Sequence, residues 1–108
     1  MTYTTITTNN KEYKLALTTA AICQLEKKIG CNPLTVFGDG STIPTVTVMV
    51  AILHASLQKY QHKVTEEEAC NIFDEWLEAG NAFTDFVSVI LEIYKVSGLI
   101  KAEDEEKN

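Results

Sequence analysis

Pro44-Thr45-Val46-Thr47-Val48-Met49-Val50-Ala51-Ile52-Leu53-His54-Ala55-Ser56-Leu57-Gln58-Lys59-Tyr60 is the stretch on which the fold class turns. Its first half, Thr45–Val50, is rich in β-branched residues and reads locally as a strand. Its periodicity and length read otherwise. Val46, Met49, Val50, Leu53, Leu57 and Tyr60 recur at three- and four-residue steps over a run longer than a usual strand, which is a helical period. Pro44 suits the first position of that helix, where a missing N–H leaves no bond unmade. The uncharged run from Gly40 to Gln58 is interrupted by Ser41, Thr42, Thr45, Thr47, His54 and Ser56, whereas a membrane span needs about 20 mostly apolar residues. The reading is a buried helix inside a mainly α domain.

Working toward the C-terminus, Thr65-Glu66-Glu67-Glu68 has the form of a capping box, with acidic residues at the positive end of the helix dipole. It opens a helix whose apolar stripe is Ala69, Ile72, Phe73, Trp76 and Leu77 and whose stop is Gly80. A last helix, about Ala82 to Ser97, ends at Gly98 and is apolar over a wide arc, a pattern of either a central helix or a contact surface. On that basis Phe86, Val89, Ile93 and Val96 are the candidate partner-binding residues. Toward the N-terminus, a helix from about Thr19 to Ile29 is capped by Thr18 or Thr19 and stopped by Gly30. Before it, Tyr3–Thr7 and Tyr13–Leu17 alternate as two strands around the turn residues Asn9-Asn10. A two-stranded ribbon is marginal alone, so it must lie on helices or pair with another chain. The expected organisation is a four-helix domain with an N-terminal β-hairpin over residues 1–100, then an acidic tail over 101–108 that is too polar to fold.

The chain has 108 residues, a hydrophobic fraction of 45% and a net charge of −6, which suits one domain with its own core. All nine cations are lysine, so the bidentate phosphate reader is missing and a nucleic-acid partner is disfavoured. Cys23, Cys31 and Cys70 are odd in number and irregularly spaced, which fits neither a disulfide framework nor a zinc site. They read as reduced thiols, Cys23 and Cys70 packed as small hydrophobes, in a cytoplasmic protein. Met1–Asn10 has neither a basic start nor an apolar run and does not read as a signal peptide.

Nothing here reads as catalytic, metal-binding or cofactor-binding. The six carboxylates between Glu66 and Glu78 fall on the polar side of a helix, as a solvated face does. General acid–base work would need one of them desolvated. His54 lies near an apolar face and His62 in a short connection, neither within a recognisable nucleophile arrangement. Gly38-Asp39-Gly40 matches no phosphate-binding fingerprint and reads as a turn.

The segment Tyr13-Lys14-Leu15-Ala16-Leu17-Thr18-Thr19-Ala20-Ala21-Ile22-Cys23-Gln24-Leu25-Glu26-Lys27-Lys28-Ile29-Gly30-Cys31-Asn32-Pro33-Leu34 resembles the opening of the tail assembly chaperone-like proteins of siphophages and gene transfer agents. Leu15 and Leu17 match that family's short strand, Leu25-Glu26 its helix pair and Gly30 its stop. The likeness continues as an apolar helix, a Thr-Glu-Glu start at Thr65 and a last apolar helix, about Tyr13 to Ser97 in all. This chain differs in its longer threonine-rich first strand and its lack of arginine. The resemblance implies a non-catalytic phage or prophage protein, made in the host bacterial cytoplasm, that binds the tape-measure protein and assists assembly of tail-tube subunits. The wide apolar arc of the last helix separately allows self-association. The competing class is a structural tube or completion component that stays in the virion.

Overall fold

Three threonines set where three helices begin. In the computed structural model, which describes residues 2–38, 40 and 42–101, the hydroxyl of Thr18 accepts from the Ala21 N–H at 3.1 Å and starts α1 (Thr19–Ile29). Thr45 accepts from Val48 at 3.2 Å and starts α2 (Val46–Leu57). Thr65 accepts from Glu68 at 3.0 Å and starts α3 (Glu66–Glu78), while the Glu68 carboxylate takes the Thr65 N–H at 2.8 Å. This reciprocal pair is a complete capping box. The fourth helix, α4 (Phe86–Ser97), begins differently: a single 3-10 turn at Phe83–Asp85 leads into it, with the Asp85 carboxylate accepting the Ala82 N–H at 2.8 Å. Gly30 and Gly98 end α1 and α4 at φ of 76° and 85°, a conformation that costs a residue with Cβ about 1–2 kcal/mol.

Two boundaries differ from the sequence reading for local reasons. Pro44 stands before the cap and is buried there, because Thr45 can supply an acceptor for the first turn and proline cannot. Tyr60 lies beyond the end of α2, in a turn that sets its ring edge-on to Tyr3 at 5.4 Å between centroids.

The helices surround α2. Met49 through Leu53 are buried without a gap, followed by Ser56 and Leu57, so the middle of this helix is covered all round while its first turn is exposed. It packs against α1, α3, α4 and the second hairpin strand. The strands are β1 (Thr4–Thr7) and β2 (Glu12–Leu15), antiparallel in the register Thr4↔Leu15, Thr5↔Lys14, Ile6↔Tyr13 and Thr7↔Glu12. Ile6, Tyr13 and Leu15 face the core. Neither asparagine of the turn adopts a positive φ. The Thr8 hydroxyl closes the turn instead, accepting from the N–H groups of Asn10 and Lys11 at 3.2 and 3.1 Å.

The C-terminal end of α2 covers the outer edge of β2. The Ala16 N–H donates to the Ser56 carbonyl at 3.0 Å. The Gln61 side-chain amide accepts from the Lys14 N–H at 2.9 Å and donates to the Lys14 carbonyl at 2.8 Å, occupying both groups as a neighbouring strand would. On the other flank, α4 packs on β1, and the Ser97 hydroxyl accepts the Leu17 N–H at 2.7 Å. Phe73, Trp76 and Phe86 join α3 to α4, with Phe86 4.8 Å from Phe73 and 5.5 Å from Trp76 between ring centroids. The buried Tyr94 donates its hydroxyl to the Pro33 carbonyl at 2.8 Å, tying α4 to the loop after α1. Burial pushes this phenol far above its ordinary range.

The three cysteines are all free and all exposed, which corrects the expectation that Cys23 and Cys70 pack inside. Cys23 and Cys70 fall on the outer sides of α1 and α3, whose inward positions go to Leu25 and to Ala69, Ile72, Phe73 and Trp76. Lys101 is exposed, and the remainder of the expected acidic tail, 102–108, lies outside the described residues, as does Asp39 of the expected turn.

Two stability outcomes follow from these bonds. Thr65→Ala removes the acceptor at the start of α3 and should lower stability by about 0.5–2 kcal/mol, read as a shift in the denaturant midpoint with unchanged slope. Tyr94→Phe keeps the ring but leaves the Pro33 carbonyl without its donor. It should lower stability by about 1–3 kcal/mol, and a midpoint equal to that of the parent protein would show that the bond contributes nothing.

Candidate partner-binding surface

The wide apolar arc of α4 is spent mostly on the interior. Of the four residues the sequence singles out, Phe86 and Ile93 are 0% exposed and belong to the core, Val89 is half-buried against it, and Val96 is half-buried without packing on it. The reason is packing on two sides: α4 meets α2 and β1 while its N-terminal turn meets the aromatic rings of α3. An apolar arc that serves several neighbours leaves little for a partner.

What α4 leaves outside is a different set. Phe83, 41% exposed, stands in the 3-10 turn that leads into the helix, and Leu91, 38% exposed, stands on the helix itself, four positions after the half-buried Val87. Phe83 is anchored by stacking on Phe73 at 5.3 Å between centroids, so its outer face is held in place. Leu91 lies among Ser88, Glu92 and Lys95, with Lys95 3.5 Å from Glu92. Two further exposed apolar residues, Ile43 and Val46, bracket the start of α2. The sequence signal that separates these from the core was weak, because Phe83 and Leu91 carry the same apolar character as the buried Phe86 and Ile90.

A second feature is a groove of about 320 Å³ between α1 and α2. Ala20, Ala21, Ala51 and Ala55 make its small apolar lining, and Gln24, Lys28, His54 and Gln58 supply polar groups. The groove exists because alanines meet where two helices face each other. Ala51 and Ala55 are four apart and Ala20-Ala21 adjacent, a spacing visible in the sequence, but nothing local shows that the two pairs meet. Its polar groups are already occupied in part. The Gln58 amide donates to the His54 and Val64 carbonyls at 2.9 and 2.8 Å. The His54 Nε2 stands 3.0 Å from the Val64 carbonyl, which can only accept, so that nitrogen carries the hydrogen. Lys28 reaches Glu66 at 2.7 Å, and this hydrogen bond and charge hold the Glu66 carboxyl below its ordinary range.

The remaining charge is segregated. Glu67, Asp74 and Glu78 lie exposed along α3, while Lys11, Lys14 and Lys59 rest over the rings of Tyr13, Tyr3 and Tyr60 at 5.2, 4.9 and 5.4 Å from their centroids. Among the described residues no group of three His, Cys, Asp or Glu side chains could hold a metal ion, and no helix is long and apolar enough to cross a membrane. The arrangement offers apolar contact and hydrogen bonding.

No curated protein and no solved structure matches the chain. A family model matches residues 2–107, nearly its whole length, and the protein therefore belongs to that family, a family of unknown function (DUF6096).

Proposed function

We propose that the protein is a non-catalytic tail assembly chaperone of a phage or prophage, acting in the bacterial cytoplasm on the tape-measure protein while tail-tube subunits assemble. The observation that carries this reading is the resemblance of Tyr13–Leu34, with its strand leucines, its Leu25-Glu26 pair and its Gly30 stop, followed by helices in the same order. The surface is compatible with such a task. A partner made of long amphipathic helices could lay apolar side chains along Phe83, Val87 and Leu91, or seat a narrow helix on the alanines between α1 and α2. Carriage of an aggregation-prone chain also suits a body with net charge −6, since charge away from zero favours solubility.

Gene neighbourhood is the first check: a major tail protein gene before this one and a very long helical tape-measure gene after it are expected. Co-expression with that neighbour should then keep it soluble and yield a complex. Leu91→Glu should weaken capture at least about tenfold, equivalent to 1.4 kcal/mol, with no change in the melting midpoint because the residue lies at the surface. Failure to bind the neighbouring product would sink the chaperone reading. Recovery of the polypeptide from purified particles would favour a structural tail component instead.

A further inference from the structure

We infer that β1 is a self-pairing edge: a second copy of the chain adds its own β1, antiparallel, to make a four-stranded sheet across a two-fold axis. The inference is independent of the chaperone reading.

It begins with Lys14, whose N–H and C=O both bond to Gln61 and so point away from β1. Directly opposite residues of an antiparallel ladder share their bonding direction, so Thr5, opposite Lys14, turns its own N–H and C=O away from β2. Thr7, two residues on, does the same. Among the described residues nothing bonds these groups, and Thr5 is half-buried and Thr7 exposed. The two edges of the hairpin are therefore unequal. The β2 edge is filled by Gln61 and by the Ser56 carbonyl, whereas on the β1 side, where α4 packs, the outward main-chain groups of Thr5 and Thr7 are left unbonded among the described residues.

The character of the open edge points to a copy of itself. Proteins guard exposed edges with lysine, proline or a bulge. From Met1 to Asn10 there is no charge and no proline, and the β1–β2 register runs without a bulge. Identical chains of net charge −6 repel over most of their surface, and this neutral strip is where two of them can meet without opposing like charges. Centring the two-fold on Thr5 sets Thr5 against its copy and Tyr3 against Thr7, so that all three outward-facing residues are paired. Each pair exchanges both N–H···O bonds, with threonines side by side across the strands. A ribbon too small to be stable alone becomes the outer half of a larger sheet.

The test uses the full chain in sedimentation equilibrium from micromolar to millimolar concentration. A dimer that dissociates on dilution is expected. Thr5→Pro removes the outward N–H, which binds nothing within the chain, and should halve the mass with an unchanged circular dichroism spectrum. Thr5→Ala keeps that N–H and should remain dimeric. A wild-type monomer at millimolar concentration, or a dimeric Thr5→Pro, overturns the inference. If Thr5→Pro fails to fold, amide exchange on the wild type decides. The Thr5 and Thr7 amides should be protected when concentrated and released on dilution. Fast exchange at both concentrations overturns the inference, and so does protection at both, which would mean the chain covers its own edge.

Discussion

A helix with no charged residue from Val46 to Leu57 has no side it can show to water without cost, and the rest of the chain is arranged to meet that constraint. The other three helices and β2 each take a share of its surface. The polar atoms this brings inside are satisfied. The Ser56 hydroxyl donates to the Leu53 carbonyl at 3.0 Å, and among the described residues no buried side-chain nitrogen or oxygen is left without a partner. Covering α2 also explains why the hairpin is where it is. Its β2 edge closes on Ser56 and Gln61, so the same contact that shields the helix end provides the ribbon with its support.

Much of this was legible because the local signals agree with the tertiary demand. Thr18, Thr65, Gly30 and Gly98 act where their chemistry suggests, and the 3.6-residue period of α3 assigns its buried face correctly. The illegible parts share a cause, which is that periodicity loses its meaning when a helix is apolar nearly all round. On α4 the residues that face in and those that face out differ little in character, so Phe86 and Ile93 were indistinguishable by pattern from Phe83 and Leu91. The open β1 edge was invisible for another reason. It depends on Gln61, 47 positions from Lys14 along the chain, taking the opposite edge.

The features available for recognition are spread around the molecule. Phe83 and Leu91 lie on the turn before α4 and on α4 itself, the alanine-lined groove between α1 and α2, and the neutral strand edge on the hairpin. None brings together a nucleophile with a base, and each offers area or main-chain hydrogen bonds.

The threonine- and valine-rich start of α2 carries a liability that its native setting conceals. Thr45-Val46-Thr47-Val48-Met49-Val50 has the β propensity, neutrality and lack of proline that favour stacked cross-β assembly, and the Thr45 cap together with the burial of Met49 and Val50 keeps it helical. Its conformation is thus a property of the whole domain. A chain caught before α4 is synthesised exposes that segment in the form most prone to aggregate, and trimming either terminus into the domain has the same effect. The boundaries within which the protein can be shortened are accordingly set by the integrity of the cover over α2, not by the extent of any binding surface.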